Sequence, residues 1–167
     1  MRALPNDDTI RQIAIVVRDL DQAMAHWSRL GLGPWQIYDD FGPRMVKDMT
    51  FRGEAQTEGG KLALCDVGPL SFELIQPGQA PSVYQEHLAT RGEGLHHLGY
   101  FIDDLRVAIT DMDAHGYTLL QTGHGFDGDG AYAYFDTEDE LGCVLEAVQA
   151  PRRLPPPDRW FPAASAS

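Results

Sequence analysis

Four polar side chains sit inside otherwise apolar, β-rich stretches of this 167-residue chain: Gln12 in RQIAIVV, Glu73 in LSFELIQ, His97 in HHLGYF and Glu146 in CVLEAVQ. A carboxylate, amide or imidazole on a buried strand must be paired or bound to something, because desolvating it alone is costly. Two carboxylates, an imidazole nitrogen and an amide oxygen together suit a divalent cation such as Zn²⁺, Co²⁺, Ni²⁺, Mn²⁺ or Fe²⁺, with open positions left for water or substrate. Taken singly, a strand glutamate is more often a solvated edge residue, and Gln12 alone reads as an exposed strand position. Their spacing makes them a set. Gln12 and His97 are 85 residues apart, Glu73 and Glu146 are 73 apart, and both separations arise from one internal repeat.

The segment IRQIAIVVRDLDQAMAHWSRLGL, from Ile10, aligns without a gap on LHHLGYFIDDLRVAITDMDAHGY, from Leu95. Identities fall at Asp19/Asp104, Leu20/Leu105, Ala23/Ala108 and Gly31/Gly116, and the apolar positions match around them. Each copy predicts a strand (Ile10–Val17 and Leu95–Ile102), an aspartate N-cap, an amphipathic helix and a glycine stop. In the first copy, strands are expected at Pro34–Asp39, Lys61–Val67 and Leu70–Pro77, the last two joined across Gly68-Pro69. In the second they are expected at Tyr117–Thr122, Ala131–Asp136 and Gly142–Gln149. The difference between the two offsets places 12 extra residues in the loops between Asp39 and Lys61 of the first copy.

The reading is therefore an α+β fold of paired βαβββ modules, forming a cupped mixed sheet around a central site. Residues 1–9 make an N-terminal extension, 10–80 the first module, 81–94 a linker with a helix over Pro81–Arg91, 95–150 the second module, and 151–167 a proline-rich tail. That tail is expected to be extended, either disordered or strapped over the body. Under a pseudo-two-fold axis, Gln12, Glu73, His97 and Glu146 converge, with one nitrogen or amide donor and one carboxylate from each module. His96 adjoins His97, and strand alternation predicts that one of the two faces outward.

Composition limits the partners. With 13 Lys plus Arg against 25 Asp plus Glu, the formal charge is −12, which disfavours nucleic acid and anionic membrane surfaces. No apolar run reaches the ~18 residues of a spanning helix, and MRALPNDDTI lacks the apolar core of a secretion signal. A soluble, cytoplasmic protein acting on a small molecule is expected. Cys65 and Cys143 read as small core residues. The loop GHGFDGDG joins two strands and reads as a flap over the site. Trp35, Tyr38, Tyr100, Tyr132 and Tyr134 are core or cavity-lining aromatics, and Arg152, Arg153 and Arg159 are solvated or in contact with an anionic substrate.

These modules and ligand positions resemble the vicinal oxygen chelate superfamily, which includes glyoxalase I, methylmalonyl-CoA epimerase, extradiol dioxygenases, and bleomycin- and fosfomycin-resistance proteins. VVRDLDQAMAHW resembles the family's first-module entry. SVYQEHLATRGEGLHHLGYFIDDL and FELIQP resemble methylmalonyl-CoA epimerases most closely. The resemblance covers Ile10–Gln149. It implies metal ligands Gln12, Glu73, His97 and Glu146, a set like that of zinc-type glyoxalase I, and it implies a homodimer. Glutamine at position 12, where most members have histidine, argues against an extradiol dioxygenase. Val16 and Pro77, four residues after the first two ligands, do not reproduce the Arg and Asn of glutathione-dependent members.

The implied activity is that of a metal-dependent epimerase, isomerase or lyase acting on a small carbonyl or acyl-CoA substrate. It would work through a metal-stabilised enolate and carboxylate-mediated proton transfer. KLALC carries no carboxylate, so the catalytic base is expected to be Glu146 or Glu73, or else His96 or a nearby tyrosine. A non-catalytic, ligand-sequestering protein of the drug-resistance type is the alternative.

Overall fold

The computed structural model describes residues 10–42, 45–125 and 129–163. The extension 1–9, the centre of the glycine-rich loop at 126–128 and the end of the tail at 164–167 lie outside the described residues. The first module comprises β1 (Ile10–Val16), α1 (Leu20–Arg29), β2 (Trp35–Tyr38), β3 (Val46–Phe51), β4 (Glu54–Gln56), β5 (Gly60–Val67) and β6 (Leu70–Pro77). After α2 (Val83–Thr90), the second comprises β7 (Gly94–Phe101), α3 (Leu105–Ala114), β8 (Leu119–Gly125), β9 (Ala131–Phe135), α4 (Glu138–Leu141) and β10 (Val144–Gln149). The tail adds β11 (Arg159–Phe161).

All these strands join one mixed sheet in the order β11-β2-β5-β6-β1-β7-β10-β9-β8-β3-β4. The repeat is visible in that order. The parallel pair β1–β6 is mirrored by the parallel pair β7–β10, and the modules meet where β1 runs antiparallel to β7. The two repeat helices start and stop as their sequences predict. Asp19 accepts a hydrogen bond from the Gln22 amide at 2.9 Å, and Asp104 accepts one from the Arg106 amide at 2.9 Å. Gly31 (φ +97°) and Gly116 (φ +87°) follow them in the left-handed region where a side chain would be strained. Val67 pairs with Leu70 across the two-residue turn at Gly68-Pro69.

The extra residues of the first copy are more than loop. Much of the segment forms the hairpin β3–β4, and β3 pairs with β8 of the other module. This pairing requires a curled sheet. From β2 to β3 is eight strand steps in the sheet order, roughly 38 Å if the sheet were flat. The chain between Tyr38 and Val46 can span only about 28 Å. Curling brings residues from far-apart strands into a single interior cluster, which includes Tyr38 of β2, Ala14 and Val16 of β1, Tyr134 of β9 and Leu120 of β8. Two further clusters lie where α1 and α3 cover the outer face: Leu20, Met24, Trp35 and Leu74 in one, and Tyr100, Leu105, Met112 and Phe135 in the other.

Helix α2 closes the cup. Ser82 caps it by accepting the Gln85 amide, and the Val83 amide donates to Gln121 Oε1 of β8 at 3.1 Å. Arg52, beside the β3–β4 turn, holds Glu86 through two bonds at 3.1 and 2.8 Å, and Arg91 reaches Glu138 of α4 at 2.9 Å. The tail is a strap: β11 pairs with β2, and Arg159 holds Asp39 at 3.0 Å and Asp21 at 2.9 Å. These ion pairs are partly exposed, so each contributes at most about 1 kcal/mol. Among the described residues, no helix is long and apolar enough to cross a membrane.

Candidate functional site

The four sequence-selected residues come from four neighbouring strands in the middle of the sheet, β6, β1, β7 and β10. They fall in two rows. In the first, Ala14 lies between Glu73 and His97; in the second, Gly99 lies between Gln12 and Glu146. Ala14 and Gly99 are themselves repeat equivalents. The smallest side chains therefore occupy the middle of each row, which leaves room for the flanking polar groups to lean together. A Cβ added at Gly99 would lie 2.6 Å from Gln12 Oε1 and 2.8 Å from Gln12 Cβ.

His97 is fully buried, and its Nε2 lies 3.2 Å from Glu73 Oε2 and 3.0 Å from Glu146 Oε2. Both carboxylates are themselves buried. Among the described residues, Glu73, His97 and Glu146 form a group whose ligand atoms all lie within 4.8 Å of one another. The angles matter as much as the distances. Glu146 Oε2 lies 3.0 Å from His97 Nε2, yet neither of these atoms is well aligned for a hydrogen bond; Gln12 Oε1 is likewise buried and unaligned with any donor. Atoms crowded together yet not aimed at one another suit a shared cation better than a set of mutual hydrogen bonds. By chemistry and by orphaned atoms, the donor set fits a divalent ion.

The electrostatics agree. Burial alone would push the His97 pKa down, but Glu146 and then Glu73 outweigh it and hold the imidazole up to about 9. A positive charge is thus stabilised at this point. Burial lifts the Glu73 pKa above the usual carboxylate range, and His97 partly offsets the rise. Around the site stand phenols held neutral by burial: the Tyr84 and Tyr134 pKa values are both raised, and their hydroxyls are hydrogen-bonded at 2.8 Å.

His96 departs from strand alternation. The pairing of β1 with β7 shifts between Ala14/His97 and Ile15/Leu95, so His96 is an extra residue in a bulge. Both imidazoles are consequently buried, and their Nδ1 atoms are hydrogen-bonded at 2.9 Å. The expectation that one faces outward is wrong, because a single inserted residue reverses the face of its neighbour. The aromatic residues divide as well. Tyr38, Tyr132 and Tyr134 belong to the interior cluster, whereas Trp35 and Tyr100 pack under α1 and α3. Tyr84 was missed by sequence reasoning because α2 reads as a linker; the apolar pair Val83-Tyr84 right after the Ser82 cap was the available signal. Arg159 is engaged by Asp21 and Asp39. Cys65 and Cys143 are free and buried, and burial pushes the Cys65 thiol up to about 11. Part of the glycine-rich loop belongs to β8, and the rest of the flap expected there falls largely outside the described residues.

The model of the glyoxalase/bleomycin resistance protein/dioxygenase superfamily matches residues 11–135. The chain belongs to that superfamily. Solved structures share its fold. A hypothetical protein from Bacillus halodurans is 18% identical with a TM-score of 0.63, over 87% of this chain and 96% of its own. Methylmalonyl-CoA epimerase from Streptomyces coelicolor, in complex with 2-nitronate-propionyl-CoA, is 20% identical with a TM-score of 0.62, over 85% of this chain and 96% of its own. The Mycobacterium tuberculosis methylmalonyl-CoA epimerase is 22% identical with a TM-score of 0.60, over 85% and 87% respectively. No curated protein sequence matches the chain. At these identities the likeness establishes architecture, and the chemistry has to be read from the site.

Proposed function

We propose that the chain is a metal-dependent proton-transfer enzyme, an epimerase, isomerase or lyase acting on a small carbonyl or acyl-CoA substrate. The observation that carries this reading is the buried imidazole of His97, set between two buried carboxylates with its Nε2 unsatisfied. Glu73, His97 and Glu146 would hold the ion, with Gln12 Oε1 as the fourth donor. When bound, the ion supplies Lewis-acid charge to a carbonyl oxygen on which negative charge develops.

Glu146, or Glu73, released from its role as a ligand, would take the α-proton: the C–H bond breaks, an O–H bond forms on the carboxylate, and the electron pair moves toward the carbonyl oxygen. The walls of the cup differ. Leu62 and Leu64 of β5 pack against the interior cluster, and their repeat equivalents in β9 are Tyr132 and Tyr134. One wall is apolar, while phenol groups stand on the other. The solved epimerase complexes support an acyl-CoA as the first substrate class to try.

The test has two parts. Purified protein stripped of metal is titrated with Zn²⁺, Co²⁺ and Ni²⁺, and uptake is expected to weaken in Glu146→Gln; an intact protein with no affinity for any of the three sinks the reading. Solvent deuterium incorporation into methylmalonyl-CoA and related acyl-CoAs then separates catalysis from sequestration, since a merely sequestering protein leaves the α-proton untouched.

A further inference from the structure

His96, which is not one of the proposed ligands, is hydrogen-bonded to the ring of one of them. We infer that His96 is a positioning residue, which fixes the tautomer and ring orientation of His97 so that Nε2 is bare and aimed at the ion; this rests on the metal reading above. The geometry leaves little choice. Two ring nitrogens hydrogen-bonded at 2.9 Å, both Nδ1, require that one donate and the other accept. A ligand nitrogen must be unprotonated, and the His97 nitrogen that faces Glu73 and Glu146 is Nε2. His97 therefore carries its proton on Nδ1 and donates it to His96 Nδ1. His96 in turn carries its own proton on Nε2.

The fold holds His96 firmly in this position. The bulge in β7 places its ring beside that of His97, whereas a regular strand would place the two on opposite faces. The ring is boxed by Tyr84 at 5.3 Å, His87 at 5.1 Å and Tyr134 at 5.9 Å between centroids. A boxed ring loses little entropy on ordering its partner, which is the condition for an outer group to tune a ligand. His96 Nε2 is buried, and the bond to His97 is the side-chain hydrogen bond that its ring makes.

The experiment compares metal affinity in wild type, His96→Phe and His96→Asn by chelator competition with Zn²⁺ and Co²⁺. Phenylalanine fills the aromatic box and accepts nothing, so affinity should fall about 10- to 100-fold. Asparagine places Oδ1 near the position of Nδ1, so it should restore most of the affinity. A purely structural role would lower the melting temperature of both variants and give no such rescue. Wild-type affinity in a folded His96→Phe protein overturns the inference while leaving the metal reading intact. A wild-type protein that takes up neither metal overturns both. Should the variants fail to fold, ¹⁵N-resolved imidazole spectra of the Zn²⁺-loaded wild type decide the matter. His97 is expected as the Nδ1–H tautomer and His96 as Nε2–H; a proton on His96 Nδ1 refutes the role.

Discussion

Without metal, the protein should lose stability as pH rises from about 6.5 to about 9, because His97 is then the cation between Glu73 and Glu146. Its pKa of about 9 in the fold stands above an unfolded value near 6.5. A group whose folded value is raised contributes its full stabilisation below the unfolded pKa and loses it as pH climbs through the folded one. The gap corresponds to ~3 kcal/mol. For a chain of this length that is a fall of roughly 6–12 °C in melting temperature. The measurement is urea unfolding in EDTA at several pH values between 6 and 9.5, on wild type and His97→Gln. Glutamine keeps much of the volume and removes the imidazole, so the difference between the two slopes reports His97 together with the carboxylates coupled to it. A wild-type slope that is flat or rising over this window, or one that persists unchanged in His97→Gln, refutes the account of the site as a centre that stabilises positive charge.

Two further outcomes follow from the same geometry. Gly99→Ala places a methyl group against Gln12, 2.6 Å from Oε1 and 2.8 Å from Cβ. It should cost about 1–3 kcal/mol and weaken Zn²⁺ uptake, as read by chemical denaturation and metal titration on one preparation; unchanged uptake would detach Gln12 from the site. Thr137 is buried, with Oγ1 accepting the Leu145 amide at 2.9 Å and donating to the Cys143 carbonyl at 2.8 Å. Thr137→Val leaves both backbone groups unsatisfied and should cost about 1–3 kcal/mol, and an unchanged unfolding midpoint would contradict that.

The parts legible beforehand were those written in local pattern. Asp19 and Asp104 cap, and Gly31 and Gly116 stop, because the groups they satisfy lie within a few residues. That Glu73, His97 and Glu146 come together was legible through the relation between the two copies, since none of them stands out by itself. Trp35 and Tyr100 show the limit. Both read as strand aromatics, but which face of a strand carries a side chain depends on its pairing register, and both fall beneath helices.

The sequence alone determined a doubled βαβββ plan, its capped helices, its tight hairpin and the polar residues that interrupt its strands, because short-range hydrogen bonding and hydrophobic periodicity act along the chain. The tertiary structure alone decided how the sheet curls. It carried the inserted hairpin across to β8, laid Tyr84 of α2 over the cup and tied the tail to β2 through Arg159. It also turned His96 inward by one residue of bulge. These features depend on which distant strands meet and in what register, and no local pattern encodes that: sliding one strand by a single residue exchanges its two faces while its composition and periodicity stay the same.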